Sequence, residues 1–112
     1  MDTMNELWQK LSDYSNDLTK AMHENPVADT KQFTHFFVVY QAYVGVGNYR
    51  LEAEEQNIDP LDYFIATMEQ NLAEKEGLVS ILRLDPEGTI VNAGMIDGYK
   101  AMIDIATSIQ AQ

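Results

Sequence analysis

The stretch from Phe33 to Leu51, FTHFFVVYQAYVGVGNYRL, constrains the fold most, because no other segment packs aromatic and branched apolar residues so densely. Its composition leans toward a strand, since Phe, Tyr and Val favour sheets and Gly weakens a helix by about 1 kcal/mol. Its spacing argues for a helix. At 100° per residue, Phe33, Phe36, Phe37, Tyr40, Tyr43, Val44, Gly47 and Leu51 share one face, the pattern of an amphipathic helix. Strict alternation fails, because Phe36, Phe37, Val38 and Val39 run together. The rival is a hairpin turning at Gly47-Asn48. In the helical reading the aromatic face is core, Phe37 with it, and Gly47 lets a neighbouring backbone approach closely. Thr34, Gln41, Gly45 and Asn48 form the wet strip. Val38, Val39, Ala42, Val46 and Tyr49 make a second apolar sector, the expected site of self-association.

The chain has 112 residues with 46% apolar content, enough for one domain, 1–112, and too few for two. Eighteen acids against seven bases give a net charge of −11, which argues against direct nucleic-acid binding or an anionic membrane surface and makes a charged partner basic. Without cysteine, disulfides, thiolate catalysis and Cys-based zinc sites are excluded. The N-terminus carries no basic segment followed by an apolar run, and no window approaches eighteen uninterrupted apolar residues. An unprocessed, cytoplasmic protein is expected.

Thr3 and Glu6 form a capping-box pattern opening a first helix to about Glu24, with the stripe Met4, Leu7, Leu11, Tyr14, Leu18 and Met22. Asn25-Pro26 ends it. Asp29 starts the central helix, which runs to about Gln56, roughly 40 Å at the helical rise, with a bend or break sought at Gly45-Val46-Gly47. Asp59-Pro60-Leu61-Asp62 opens a third helix, striped by Leu61, Phe64, Ile65, Met68 and Leu72 and stopping near Gly77. Beyond Gly77, a continued helix competes with a β-hairpin. Asp85-Pro86-Glu87-Gly88 has the chemistry of a tight turn between branched residues and favours a hairpin over about 79–91. Asn92 then caps a last helix striped by Met95, Tyr99, Met102, Ala106 and Ile109. The expected fold is a mainly α, compact bundle of about four helices with that hairpin before the last.

Chemistry is sparse. His23 and His35 form no metal-binding helical pair; His23 suits the C-terminal end of the first helix, and His35 reads as a surface or interface residue. Glu52 and Glu55 at i, i+3, with Asp59 and Asp62, invite comparison with all-helical magnesium-dependent nucleotide pyrophosphatases. Those enzymes need a second E-x-x-D pair, and none follows here. There is no Gly-rich phosphate loop and no serine elbow. The most asymmetric feature lies between Leu51 and Glu74: seven acids, Glu52, Glu54, Glu55, Asp59, Asp62, Glu69 and Glu74, and no Lys or Arg.

These features predict a non-catalytic, acidic interaction module without cofactor or metal. It would inhibit or modulate a larger basic protein, including one that processes nucleic acid, through Glu52, Glu54, Glu55, Asp59, Asp62 and Glu69, and self-associate as a homodimer. In size and charge it is similar to small acidic inhibitors made by phages and mobile elements. The alternative is a helical oligomer binding a small ligand or nucleotide through Tyr40, Tyr43, Tyr49 and Arg50. A carboxylate-dependent magnesium enzyme ranks third.

Overall fold

Four helices open on an aspartate whose carboxylate accepts a hydrogen bond from a backbone N–H two or three residues further on. In the computed structural model, which describes residues 2–24 and 29–112, Asp2 accepts from Met4 at 2.9 Å, Asp29 from Gln32 at 2.7 Å, Asp59 from Asp62 at 3.1 Å and Asp85 from Gly88 at 3.0 Å. Each bond satisfies one of the orphan donors at a helix N-terminus and sets a carboxylate at its positive end. The helices are α1 (Thr3–Glu24), α2 (Thr30–Val44), α3 (Val46–Glu55), α4 (Pro60–Gly77) and α5 (Pro86–Gln110), with a short 3-10 turn at Leu82–Leu84. The described residues contain no strand.

Several expectations hold and several are corrected. The span expected for α1 agrees, although its cap is Asp2, one residue before Thr3; the expected stop at Asn25-Pro26 lies outside the described residues. The central helix is two helices, broken at Gly45 within the segment where a break was sought. The hairpin over 79–91 does not form. Asp85-Pro86 is a helix start, the same cap-plus-proline device as Asp59-Pro60, and α5 runs from there without interruption. Among the described residues the bundle therefore has five α-helices, where about four were expected. Asn92 lies inside α5 rather than at its cap: it is buried, and its Nδ2 donates to the Lys75 carbonyl in the last turn of α4 at 2.8 Å.

The largest correction concerns which side of α2 faces inward. Thr34, Val38, Val39 and Ala42 are buried, while Phe33, Phe37, Tyr40 and Val44 are 53%, 44%, 47% and 64% exposed. The sector assigned to self-association is core, and most of the aromatic face assigned to the core is surface, although Tyr43 packs in part against the core. The reason is size. A Cβ added at Gly94 would stand 2.5 Å from the Lys31 carbonyl oxygen and 2.8 Å from the Thr34 Cβ, and one at Gly98 would meet a Val38 methyl at 2.2 Å. Helix α5 thus brings a G-x-x-x-G groove against α2, and only short side chains fit between the backbones. Thr34, read as wet, sits at the closest approach because it is small; its hydroxyl donates back to the Thr30 carbonyl at 2.6 Å, which removes the cost of burying it. Gly47 has no atom within 4 Å of an added Cβ, so the close approach expected there is made by Gly94 and Gly98 instead.

The remaining core joins all five helices. Met4, Leu7 and Leu11 of α1, Val46 of α3, Leu61, Phe64 and Met68 of α4, and Met102, Ala106 and Ile109 of α5 pack with the small face of α2. Helix α5 touches α1, α2 and α4, while α2 and α4 do not meet. The α3–α4 link closes tightly: Asn57 takes a left-handed φ of 56°, and the Asn57 and Ile58 amides donate to the Glu54 and Ala53 carbonyls. Asn tolerates that conformation, and the bonds satisfy the end of α3.

Two substitution sets test this packing in urea melts. Gly98→Ala or Gly94→Ala should destabilise by about 1–3 kcal/mol, since the added methyl meets α2. Gly47→Ala, in open space within a helix, should stabilise by about 0.5–1 kcal/mol. Phe64→Ala, at a fully buried ring, should cost about 3–5 kcal/mol, while the half-exposed Phe37→Ala should cost about 1 kcal/mol. Equal losses at the two phenylalanines would contradict the orientation of α2.

Candidate functional site

Two surfaces stand out, one of carboxylates and one of aromatic rings. The acidic one spans the end of α3, the left-handed turn at Asn57 and the first turns of α4. Glu52, Glu54, Glu55, Asp59, Asp62 and Glu69 are all exposed. Three have local tasks. Glu52 accepts a hydrogen bond from the Tyr63 hydroxyl at 2.7 Å, which holds α3 to α4 and raises the Tyr63 pKa, because losing the phenolic proton would break that bond. Asp59 caps α4, and Asp62 accepts from the Gln110 side chain at the end of α5. Glu54, Glu55 and Glu69 make no side-chain hydrogen bond or ion pair among the described residues. The two ion pairs among those residues lie elsewhere, Lys31 with Asp97 at 3.4 Å and Arg50 with Asp2 at 2.7 Å. No acid between Leu51 and Glu74 is in an ion pair among the described residues.

The carboxylates do not converge on an ion. No group of three or more His, Cys, Asp or Glu side chains among the described residues is placed to hold a metal. Glu52, Glu55, Asp59 and Asp62, the set compared with magnesium-dependent pyrophosphatases, remain spread along the surface and are partly committed to capping and bridging.

The alternative ligand set is split. Tyr40 and Tyr43 lie side by side, ring centroids 6.1 Å apart, on the outer face of α2. Tyr49 turns inward, edge-on to Phe64 at 5.3 Å, and burial raises its pKa. Arg50 is paired with Asp2. Tyr40 lines a shallow 420 Å³ groove with Phe37, Gln41, Val44, Gly45 and Asn48, and Arg50 lines a separate one with Met4, Asn5, Trp8, Val46 and Gly47.

From the sequence the aromatic surface reads as core, and only Tyr40 and Tyr43 among its residues take a role, in the ligand-binding alternative. Its rings form an unbroken series: Phe37 stacks on Phe33 at 6.5 Å, Phe33 meets Phe36 at 6.5 Å, Phe36 stacks on Tyr40 at 5.6 Å, Tyr40 touches Tyr43, and Tyr43 meets Trp8 of α1 at 5.6 Å. The signal that could have revealed it is Gly94-x-x-x-Gly98, which reserves the small face of a partner helix for the interior.

Of the histidines, His23 lies in the last turn of α1, as expected. His35 is half-buried between helices rather than a surface residue. Its Nε2 lies 2.8 Å from the Tyr14 hydroxyl, in a hydrogen bond whose direction the ring tautomer sets, and its carbonyl faces Gly98. Burial lowers its pKa from the ordinary 6.5, with Asp97 opposing and Lys31 adding to that shift.

Comparison with protein-family models, curated proteins and solved structures finds no match to this chain. No helix among the described residues is long and apolar enough to cross a membrane.

The His35 environment predicts a pH dependence. A folded-state pKa below the unfolded value means the unfolded chain takes up a proton first as pH falls, so stability is full above about 6.5 and declines as pH drops through the folded value. Unfolding free energies at about pH 7 and pH 5 should therefore differ in the native chain, and His35→Gln should shrink the difference. An unchanged slope in the variant would exclude His35 as its source.

Proposed function

We propose that this chain is a non-catalytic, acidic interaction module that binds and modulates a larger protein through a basic surface on that protein. The observation that carries the reading is the run from Leu51 to Glu74, seven acids with no Lys or Arg, in which Glu54, Glu55 and Glu69 stand exposed with no ion pair among the described residues. Exposed carboxylates contribute little to stability, so leaving them uncompensated costs the fold little while creating a negative field. Such a field accelerates encounter with a cationic groove and repels polyanions. A partner whose groove otherwise holds nucleic acid fits that chemistry, and inhibition by occupying it is the mode that small acidic proteins of phages and mobile elements suggest by size and charge.

The ligand-binding alternative loses support from the separation of Tyr49 and Arg50 from Tyr40 and Tyr43. A cytoplasmic location remains part of the proposal.

The test is a triple reversal, Glu54→Lys, Glu55→Lys and Glu69→Lys, which spares the acids engaged in capping and bridging. Native mass spectrometry of the protein captured from a lysate of its host should show a basic protein partner at low salt that is lost at high salt and absent from the triple variant. The variant should melt within about 1 kcal/mol of the parent, as expected for exposed sites. Capture that persists in the variant would sink the acidic-face reading.

A further inference from the structure

We propose that the aromatic face of α2 is an isologous dimer interface, occupied by the same face of a second copy of this chain and centred near Tyr40. Trp8, Phe33, Phe37 and Tyr40 are each 44–53% exposed, and Val44 is 64% exposed. At roughly 200 Å² per aromatic side chain, this leaves about 500 Å² of connected apolar surface, at the upper end of what a monomer shows to water. In a subunit interface about two-thirds apolar, that area corresponds to roughly 800 Å² per copy, the amount a standard-size interface covers.

Charge and order along the helix select the occupant. No Asp, Glu, Lys or Arg stands between Lys31 and Arg50, so α2 and the first turn of α3 offer a long neutral surface on a chain of net charge −11. A basic protein finds no acid there. A second copy, repelled elsewhere by a net charge of −11, can approach on a helix face that carries no charged residue. The stripe also has apolar positions at matching intervals on either side of Tyr40. Phe37 and Phe36 precede it by the intervals at which Tyr43 and Val44 follow it. A twofold axis at Tyr40, with the helices antiparallel, sets the Phe36 ring of one copy over the smaller Val44 of the other. The groove lined by Phe37, Tyr40, Val44, Gly45 and Asn48 lies beside that axis.

The interface is independent of the acidic face, and salt separates the two: screening weakens binding to a basic partner and relieves repulsion between copies. Sedimentation equilibrium should give twice the 12.7 kDa chain mass at about 100 µM, retained or strengthened in 1 M NaCl. Phe37→Glu and Tyr40→Lys should each give the single-chain mass with an unchanged helical circular-dichroism spectrum. Because the chain has no cysteine, Tyr40→Cys places one thiol near the axis, and a short bismaleimide should join two copies through it. Glu69→Cys, on α4, which does not touch α2, should remain uncrosslinked. A single-chain mass for the native protein at about 100 µM overturns the proposal, including the case in which the stripe instead binds phosphatidylcholine vesicles. A dimer that survives Phe37→Glu and crosslinks through residue 69 rather than 40 also overturns it.

Discussion

The contact between α2 and the Gly94-x-x-x-Gly98 groove of α5 is the constraint on which the rest of the structure depends. With hydrogens as the only side chains at positions 94 and 98, the two backbones approach until a single Cβ would collide with the Lys31 carbonyl or the Val38 methyl. Such closeness exchanges side-chain bulk for backbone contact, and it can be met only by a helix face as small as Thr34, Val38 and Ala42. Once that face is turned inward, the helical period sends Phe33, Phe37, Tyr40 and Val44 outward.

This ordering gives the molecule two chemically distinct surfaces. Around α2 and the start of α3 lies an uncharged, aromatic face, tied to α1 through the Trp8–Tyr43 contact. Around the α3–α4 turn lies a carboxylate-rich one, held in shape by the left-handed Asn57 and the Tyr63–Glu52 hydrogen bond. Helix α5 lies between α2 and α4, and the seven acids from Glu52 to Glu74 lie on the α3–α4 side. Solvation favours burying rings, so an aromatic face left outside indicates that close packing in the interior outweighed it.

Much of the secondary structure is legible in the residues because its causes are local. Asp29, Asp59 and the apolar stripes of α1, α4 and α5 act over one or two turns, and the break at Gly45 falls in the Gly-Val-Gly segment that weakens a long helix. Where local signals are ambiguous they mislead. Asp85-Pro86-Glu87-Gly88 suits a tight turn and a helix N-terminus equally, since both want Asp first and Pro second; the long apolar pattern after Ile90 decides for the helix. The buried Asn92 resembles a cap in sequence because a cap and a buried inter-helix donor call for the same side chain. The candidate acids are exposed as their charge requires, whereas Tyr49 and Arg50 are drawn away from Tyr40 and Tyr43 by Phe64 and Asp2, partners remote along the chain.

By itself, then, the sequence determined that the chain is helical, where most helices begin and end, and that one segment is acidic without compensation, because caps, periodicity and net charge are properties of neighbouring residues. Only the tertiary structure decided which face of α2 is inside. Hydrophobicity ranks the aromatic face first, but burial is settled by fit against another helix, and the groove that sets the fit lies some sixty residues away along the chain, at Gly94 and Gly98.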